Sequence, residues 1–409
     1  MRNKLILFTA DFPFGSGETF LESEIGFLAA GFDDVIIFTQ NIRDKQTRIL
    51  PVNCSVRRID LSTSKLEKIR SLFNVFQPLF WQERSKIKKS YKRNLTKGIL
   101  STMLISISRA RKVKKYCQQL FSNNKTHATL YYYSYWSDDV AIGLAMFREM
   151  NPGITAISRM HGWDVYFEAS ALNYLPYRHF ITNNLSAIFA ISEKGKAYAA
   201  RNWKIENIDK IRVARLGVPE QKQYPSQSNK FILVSCSNVI PLKRVELIVN
   251  ALAEIKNTNI SWVHFGDGPQ LDTIKALAKE LLPDLIKADF KGRVTNQEIV
   301  HWYAENNPSL FINVSTTEGI PVSIMEAMSF GIPVIATNVG GNSEIVNSDN
   351  GYLVEANIVP SELADTIQSF IELPKEKKEL KQQVSFETWK NNYNAADNFS
   401  RFVKTIQDL

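Results

Sequence analysis

Residues 315–341 read STTEGIPVSIMEAMSFGIPVIATNVGG, and the run just before them, Leu310-Phe311-Ile312-Asn313-Val314, is almost wholly apolar. A short continuous run of this kind suits a strand covered on both faces of a parallel sheet. Glu318 and Gly319 fall in the following turn, and Pro321 suits the first position of a helix, where its missing N–H costs nothing. The pattern predicts that this helix carries Met325, Glu326 and Met328 and ends at Gly331-Ile332-Pro333. A second apolar strand, Val334 to Thr337, leads to Gly340-Gly341. The unit is strand, acidic turn, helix, strand, glycine pair. In such a unit the helix N-terminus offers backbone N–H groups at the carboxyl end of the sheet, where open parallel sheets bind anionic ligands. Glu318 and Glu326 lie at that end with seven residues between them. A turn glutamate is otherwise simply solvated, and a helical one otherwise reaches the surface. Glu326 has little polar face to reach, since Ile324, Met325, Ala327, Met328 and Phe330 surround it.

Glutamate, seven residues and glutamate, followed by A-M-x-x-G-x-P-V-I-A-T-x-V-G-G, resembles the donor-site signature of the family 4 retaining glycosyltransferases of the GT-B fold, among the group 1 glycosyltransferases. The resemblance covers most of the C-terminal half and short islands of the N-terminal half. It implies an α/β architecture of two facing Rossmann-like domains. It also implies that Glu318 sits by the donor sugar, that Glu326 holds the nucleotide ribose, and that Gly319, Ile320, Pro321 and Val322 line the donor beside them.

Composition agrees with two domains. A chain of 409 residues exceeds one ordinary core, and 44% hydrophobic with 22% charged residues describes an ordered globular protein. Cys54, Cys117 and Cys236 are scattered singly, which argues against a disulfide framework or zinc site. The apolar run Leu5 to Phe8 is too short for a signal peptide, and nothing approaches a membrane span. The expected location is cytoplasmic, with peripheral contact at the inner face of the membrane.

At the N-terminus, Lys4 to Ala10 is expected as a strand leading into Asp11-Phe12-Pro13-Phe14-Gly15-Ser16-Gly17 and a helix from about Thr19. A glycine turn before a helix can cradle phosphate or sugar through backbone N–H groups. The turn lacks the third glycine of a dinucleotide fingerprint, and the second strand ends in Thr39-Gln40 without the acid that holds an adenosine ribose. The resemblance makes Gly15 and Gly17 cleft residues. Tyr131 to Asp139, YYYSYWSDD, suits either a sugar ring or ordinary core aromatics. The strand expected over Ile154 to Ser158 is followed by Arg159-Met160-His161-Gly162, which places His161 at a carboxyl end. Similar enzymes carry a His-Gly or His-Asp pair here against the donor sugar.

Between Phe73 and Tyr116, twelve Lys and Arg residues accompany one acid, Glu83, and together exceed the chain's net charge of +9. The stretch suits a solvated helical face or an anionic membrane surface. Nucleic acid is not expected, since no readout motif accompanies the charge.

Gln221 to Lys230 is polar and proline-interrupted and is the expected linker. The predicted division is residues 1–222 as an acceptor-binding domain, 223–385 as a donor-binding domain, and 386–409 as a C-terminal helix returning to the first. After a strand over Phe231 to Cys236, Lys243 and Arg244 precede a helix, where cations oppose the helix dipole unless an anion binds there. Similar enzymes grip the donor diphosphate here with Gly-Arg, four residues and Lys. Lys243 matches that lysine, Asn238 stands in the arginine's place, and Arg244 replaces a glycine and can supply the charge. Gly266-Asp267-Gly268-Pro269 matches the family's Gly-x-Gly-Pro turn, and the segment through Val294 matches the one lining the nucleobase.

The implied reaction is retaining transfer from a nucleotide-sugar, UDP- or GDP-linked, to a carbohydrate or lipid-linked acceptor in cell-surface polysaccharide or glycolipid synthesis. No Asp-x-Asp occurs in the chain, so a metal-bridged diphosphate and a separate cofactor are not expected. A nucleotide-sugar epimerase and a non-catalytic nucleotide-sugar-binding partner of a larger assembly are the alternative readings.

Overall fold

The computed structural model describes residues 2–15, 17–124, 127–221, 230–319 and 321–409. Two compact units result, one of Met1–Leu216 with Ala396–Leu409 and one of Gly217–Ala395. The first contains β1 (Asn3–Thr9), α1 (Phe20–Gly31), β2 (Asp34–Thr39), β3 (Cys54–Arg58), α2 (Lys65–Ser71), α3 (Pro78–Lys89), α4 (Lys97–Ser122), β4 (Thr129–Ser134), α5 (Asp139–Met150), β5 (Thr155–Met160), α6 (Arg178–Asn184), β6 (Ala187–Ala190), α7 (Glu193–Asn202) and β7 (Ile211–Val213). The second contains β8 (Phe231–Cys236), α8 (Val245–Glu254), β9 (Ile260–Phe265), α9 (Leu271–Leu281), β10 (Ile286–Gly292), α10 (Asn296–Asn306), β11 (Leu310–Asn313), α11 (Val322–Ser329), β12 (Val334–Thr337), α12 (Asn342–Ile345), β13 (Gly351–Val354), α13 (Pro360–Ile371) and α14 (Lys375–Asn392). The last helix, α15 (Ala395–Gln407), lies almost wholly in the first unit.

Both sheets are parallel, in the orders β3-β2-β1-β4-β5-β6-β7 and β10-β9-β8-β11-β12-β13. Helices cover both faces of the first sheet, which is why its central strand has no polar alternation. Leu5 and Leu7 of β1 pack with Leu21, Ile25 and Phe402. Ile6 and Phe8 pack with Met103, Ile107 and Val113. Strand order reverses between β1 and β4 and again between β8 and β11. Loops leaving the carboxyl ends of such neighbours diverge to opposite faces and open a crevice, the usual ligand position in this class of sheet.

Three sequence expectations change. The first division falls after Leu216, and residues 222–229 of the expected linker lie outside the described residues. The expected C-terminal segment 386–409 is split. Trp389 and Tyr393 are buried in the second unit, with Trp389 Nε1 donating to the Val218 carbonyl (3.3 Å), whereas Phe399 and Phe402 pack in the first. The reason is a close backbone approach: Val218 N donates to Tyr393 O (3.0 Å) and Ala395 N to Val218 O (3.1 Å). A Cβ on Gly217 would lie 2.7 Å from the Ala395 backbone. Finally, β5 continues through Arg159 and Met160, placing Arg159 inside the unit.

Arg159 and Glu24 form an ion pair (2.6 Å) with both side chains fully buried. Arg159 also donates to the Ala214 (2.7 Å) and Arg215 (3.2 Å) carbonyls, and its guanidinium lies 4.6 Å from the Phe402 ring centroid. Burial pushes the Glu24 carboxyl up from its ordinary value, while Arg159 and the Tyr133 hydroxyl pull it back. One cation thereby ties together α1, β5, the end of β7 and α15. Removing one partner of such a pair strands a buried charge, so Arg159→Met should cost about 3–5 kcal/mol. Adding Glu24→Gln should recover part of that loss. Urea unfolding midpoints of the single and double variants test this, and a single variant as stable as the parent would show that the pair is dispensable.

Candidate active site

In the second unit the candidate residues converge on the β8/β11 switch point. The loop after β8 is knitted to the next loop by Ser237 N to Phe265 O and Val239 N to Asp267 O (both 2.9 Å), and Gly266 N donates to Gly292 O (2.9 Å). Gly266 has φ +144°, and a Cβ there would stand 1.8 Å from the Ser237 carbonyl, so only glycine fits. On the other side Thr316 N donates to Leu242 O (2.8 Å) and Arg244 Nε to Val314 O (2.7 Å). The Glu318 turn is then clamped by Gly340, with φ +51° and a Cβ position 1.6 Å from Glu318 O, and by Gly341 N donating to Gly319 O (2.6 Å).

Glu318 Oε1 accepts from Ser315 Oγ (2.6 Å), Asn313 Nδ2 (3.2 Å) and Lys243 Nζ. The fold therefore brings Lys243 and Glu318 together. Asn313 and Ser315 were not singled out in the sequence, although an asparagine inside an apolar strand is the kind of buried polar group that needs a partner. Lys243 ends a 3-10 turn, Pro241–Lys243, and Arg244 takes a left-handed conformation (φ +48°) at the N-cap of α8. Arg244 Nη2 is buried without a hydrogen-bond partner. Burial lowers the Arg244 pKa, and Glu246 in the first turn of α8 opposes that shift. Asn238 is exposed on the same loop.

Glu326 lies just over one turn into α11 and is buried, as its apolar neighbours required. Asn296 Nδ2 at the start of α10 donates to its Oε1 (2.5 Å). No side chain caps the N-terminus of α11. The helix closes in a Schellman turn, with Gly331 N to Met328 O (2.9 Å), Ile332 N to Ala327 O (3.1 Å) and Gly331 at φ +71°. Gly319, Pro321, Val322 and, after β10, Val294 are half-buried nearby in sequence; Ile320 lies outside the described residues.

In the first unit the β1/β4 switch point holds a different arrangement from the one expected. The N–H groups of Ala10 (2.8 Å), Asp11 (2.8 Å) and Phe12 (2.7 Å) all donate to the Glu18 carboxylate, which also accepts from Trp136 Nε1 (2.6 Å). The amides of residues 10–12, ahead of the glycine turn, are thus taken by the chain's own carboxylate. Gly17 is needed for space, since a Cβ there would lie 2.7 Å from Asp11 Oδ2.

His161 lies with its ring 4.5 Å from those of both Tyr135 and Trp136. Asp164 anchors its backbone, accepting from His161 N (2.8 Å), Gly162 N (3.0 Å) and Ser137 N (2.9 Å). Both ring nitrogens are buried without a hydrogen-bond partner. Burial, and then the Arg159 charge, hold the imidazole pKa well below its ordinary value, so it is neutral and its 4.0 Å approach to Asp164 is not an ion pair. Of the aromatic stretch, Tyr131, Tyr132, Tyr133 and Tyr135 are core residues. Trp136 is half-buried and packs on the exposed Trp163 (5.3 Å). Asp138 caps α5 through Val140 N (2.9 Å) and Asp139 pairs with Arg109 (3.1 Å), so both serve structure.

Two Rossmann-like α/β units, each with its polar residues at a switch point, define the GT-B class. The fold agrees with the lipopolysaccharide outer core galactosyltransferase WaaB (TM-score 0.67, 16% identity, 98% of this chain and 99% of that one). It also agrees with Anabaena Alr3699/HepE in complex with UDP (TM-score 0.67, 16% identity, 100% of both chains). Residues 219–385 match the family model described as Glycosyl transferases group 1. The N-acetyl-alpha-D-glucosaminyl L-malate synthase of Bacillus anthracis is 33% identical over 138 residues, 33% of this chain and 35% of that protein. Matches to the curated relatives span between 35% and 54% of those proteins' own lengths for the first few.

Burial pushes the Glu326 carboxyl from its ordinary 4.5 up to about 7, against the Asn296 hydrogen bond. The folded state therefore retains a proton that the unfolded chain releases. The stability tied to this proton is complete below the unfolded value and is lost as pH rises through about 7. Glu326→Gln removes that loss. Relative to the parent, the variant should be about 2–4 kcal/mol more stable at pH 8 than at pH 4.5, at 1.36 kcal/mol per pKa unit. Unfolding midpoints at both pH values measure it, and a difference that does not change with pH would refute the buried, proton-retaining carboxyl.

Proposed function

We propose that the chain is a retaining glycosyltransferase that moves a sugar from a UDP- or GDP-linked donor to a carbohydrate or lipid-linked acceptor, in cell-surface polysaccharide or glycolipid synthesis. The observation that carries this reading is the Lys243–Glu318 cluster at the β8/β11 switch point, next to the uncapped start of α11. The UDP complex of Anabaena Alr3699/HepE supports the donor class. Lys243, Arg244 and the α11 amides meet the charge of the leaving diphosphate, with no metal bridge. In the free protein the Lys243 ammonium is held by Glu318, so a bound diphosphate competes for it. Glu326 and Asn296 receive the ribose. Neutral His161 offers one N–H and one lone pair to a sugar hydroxyl.

The bond from the anomeric carbon to the diphosphate oxygen breaks, its electron pair leaving with the nucleoside diphosphate. The acceptor oxygen bonds to the same face of that carbon, and its proton passes to the leaving phosphate oxygen. No side-chain base is required. The work takes place in the cytoplasm with peripheral contact at the inner face of the membrane; among the described residues no helix is long and apolar enough to cross one.

Asn238, uncharged and exposed, favours a second reading as a non-catalytic nucleotide-sugar-binding partner. Incubation with a panel of nucleotide-sugars separates the readings. Acceptor-dependent release of nucleoside diphosphate supports transfer, binding without release supports the partner, and an isomerised sugar would mean an epimerase.

Arg244→Ala should weaken nucleoside diphosphate binding by about 1.5–3 kcal/mol, the scale of a charge-assisted hydrogen bond. Calorimetry showing an unchanged Kd would leave Lys243 as the only cation of this loop on the diphosphate.

The two glutamates should separate kinetically. Glu326→Gln removes binding common to ground and transition states, so donor KM should rise with kcat largely preserved. Glu318→Gln removes a group placed at the reacting sugar and should lower kcat on the order of 10²–10³-fold. Donor saturation curves at saturating acceptor decide this, and near-parental constants for both variants would overturn the site assignment.

A further inference from the structure

We propose that residues 65–81 of the first unit form a docking surface for an anionic lipid bilayer. This deepens the reading of a lipid-linked acceptor and rests on that reading for its use in the cell. Along α2, the 3-10 turn Leu72–Phe76 and the start of α3, Leu66, Ile69, Leu72, Phe73, Phe76 and Trp81 are between 50% and 78% exposed. The first five recur at spacings of 3, 3, 1 and 3, which gathers them on one helical face.

An amphipathic segment normally turns that face to the core, and this one is inverted. Between residues 65 and 76 the buried side chains are polar: Ser71 donates to Lys68 O (2.6 Å), and Asn74 Nδ2 donates to Leu104 O (2.8 Å) and Ser108 Oγ (2.7 Å) on α4; the buried apolar residues of the segment, Leu79 and Phe80, come only in α3. Satisfying Asn74 against α4 commits Leu72, Phe73 and Phe76 to the outside. Trp81 is held there by Nε1 donating to Val75 O (2.7 Å).

The flanking charge is of one sign. Lys65, Lys68 and Arg70 are exposed among the apolar residues, and the Arg84 guanidinium lies 5.0 Å from the Trp81 ring centroid. Glu67 is engaged by Lys112 (2.8 Å) and its capping box. The lone acid of the basic stretch, Glu83, is not on the surface; it is buried, accepting from the Tyr174 hydroxyl (2.6 Å) and Tyr177 N (2.7 Å). The sequence placed the contact over residues 73–116, but in that range Arg109 and Lys112 on α4 are paired within the fold, and the apolar part begins earlier, at Leu66. A second copy on this face would oppose cations to cations. An anionic headgroup layer accepts the cations while the apolar side chains enter its boundary.

The test is flotation of the full chain with phosphatidylcholine vesicles and with phosphatidylcholine–phosphatidylglycerol vesicles. Binding is expected only to the anionic vesicles and should fall as salt shortens the Debye length from about 10 Å at 0.1 M to about 3 Å at 1 M. Leu72→Ser/Phe73→Ser/Phe76→Ser should lower partitioning at least about tenfold, from the lost burial of three large side chains. Lys65→Gln/Lys68→Gln/Arg70→Gln, all at exposed sites, should lower it as well and decides the matter if the first variant misfolds. Equal binding to neutral vesicles, no binding, or binding untouched by the charge variant overturns the surface. A parent dimer that either variant renders monomeric would assign the face to a second copy and overturn it too. The assay contains no sugar donor. A protein that floats without transferring sugar removes only the proposed function, and one that transfers sugar to a soluble acceptor without floating removes only the docking surface.

Discussion

The position of Glu318 depends on a contact in which no side chain takes part. Its carbonyl occupies the space where Gly340 would carry a Cβ, and Gly341 closes the approach with a 2.6 Å hydrogen bond to Gly319. The turn is thus held against the loop after β12 by backbone packing, with the Thr337 hydroxyl of β12 also donating to Ser315 O (2.6 Å), and from there its carboxylate meets Ser315, Asn313 and Lys243. Backbone-to-backbone packing is stiffer than side-chain packing because it has no rotamers to exchange. A turn held in this way keeps its side chains in place without help from neighbouring rotamers. Gly266 does the same for the loop that carries Lys243, with the Ser237 carbonyl in place of a Cβ.

The first unit uses buried carboxylates where the second uses glycines. Glu18 gathers three consecutive backbone N–H groups and the Trp136 indole, and Asp164 gathers three N–H groups from the loops after β4 and β5. Each is pushed up by burial and pulled back by those hydrogen bonds. Both carboxyls shape loops by accepting those hydrogen bonds, and the imidazole of His161, packed against Tyr135 and Trp136, is left with its two nitrogens unpartnered.

The sequence by itself determined the strands that are apolar on both faces, the α/β class, and the placing of Glu318 in a turn and Glu326 in the helix after it, because parallel strands and glycine turns leave local signatures. It also placed His161 at the carboxyl end of a strand and Lys243 just ahead of a helix. It did not show that Glu18 takes the amides of residues 10–12, since the partner of a loop N–H is known only once the loop is folded. Nor did it show Arg159 as a buried strand residue, because its partner Glu24 is 135 positions away. Residues 386–409 are expected from the sequence as a C-terminal helix returning to the first domain, but the division of this tail between units follows from the approach of Gly217 to Ala395. The stripe from Leu66 to Phe76 has the periodicity of an ordinary core-facing helix, and only the burial of Asn74 against α4 turned it outward. Periodicity is a local property and can be read along the chain; which face is covered depends on what another segment brings to it, and that is settled in three dimensions.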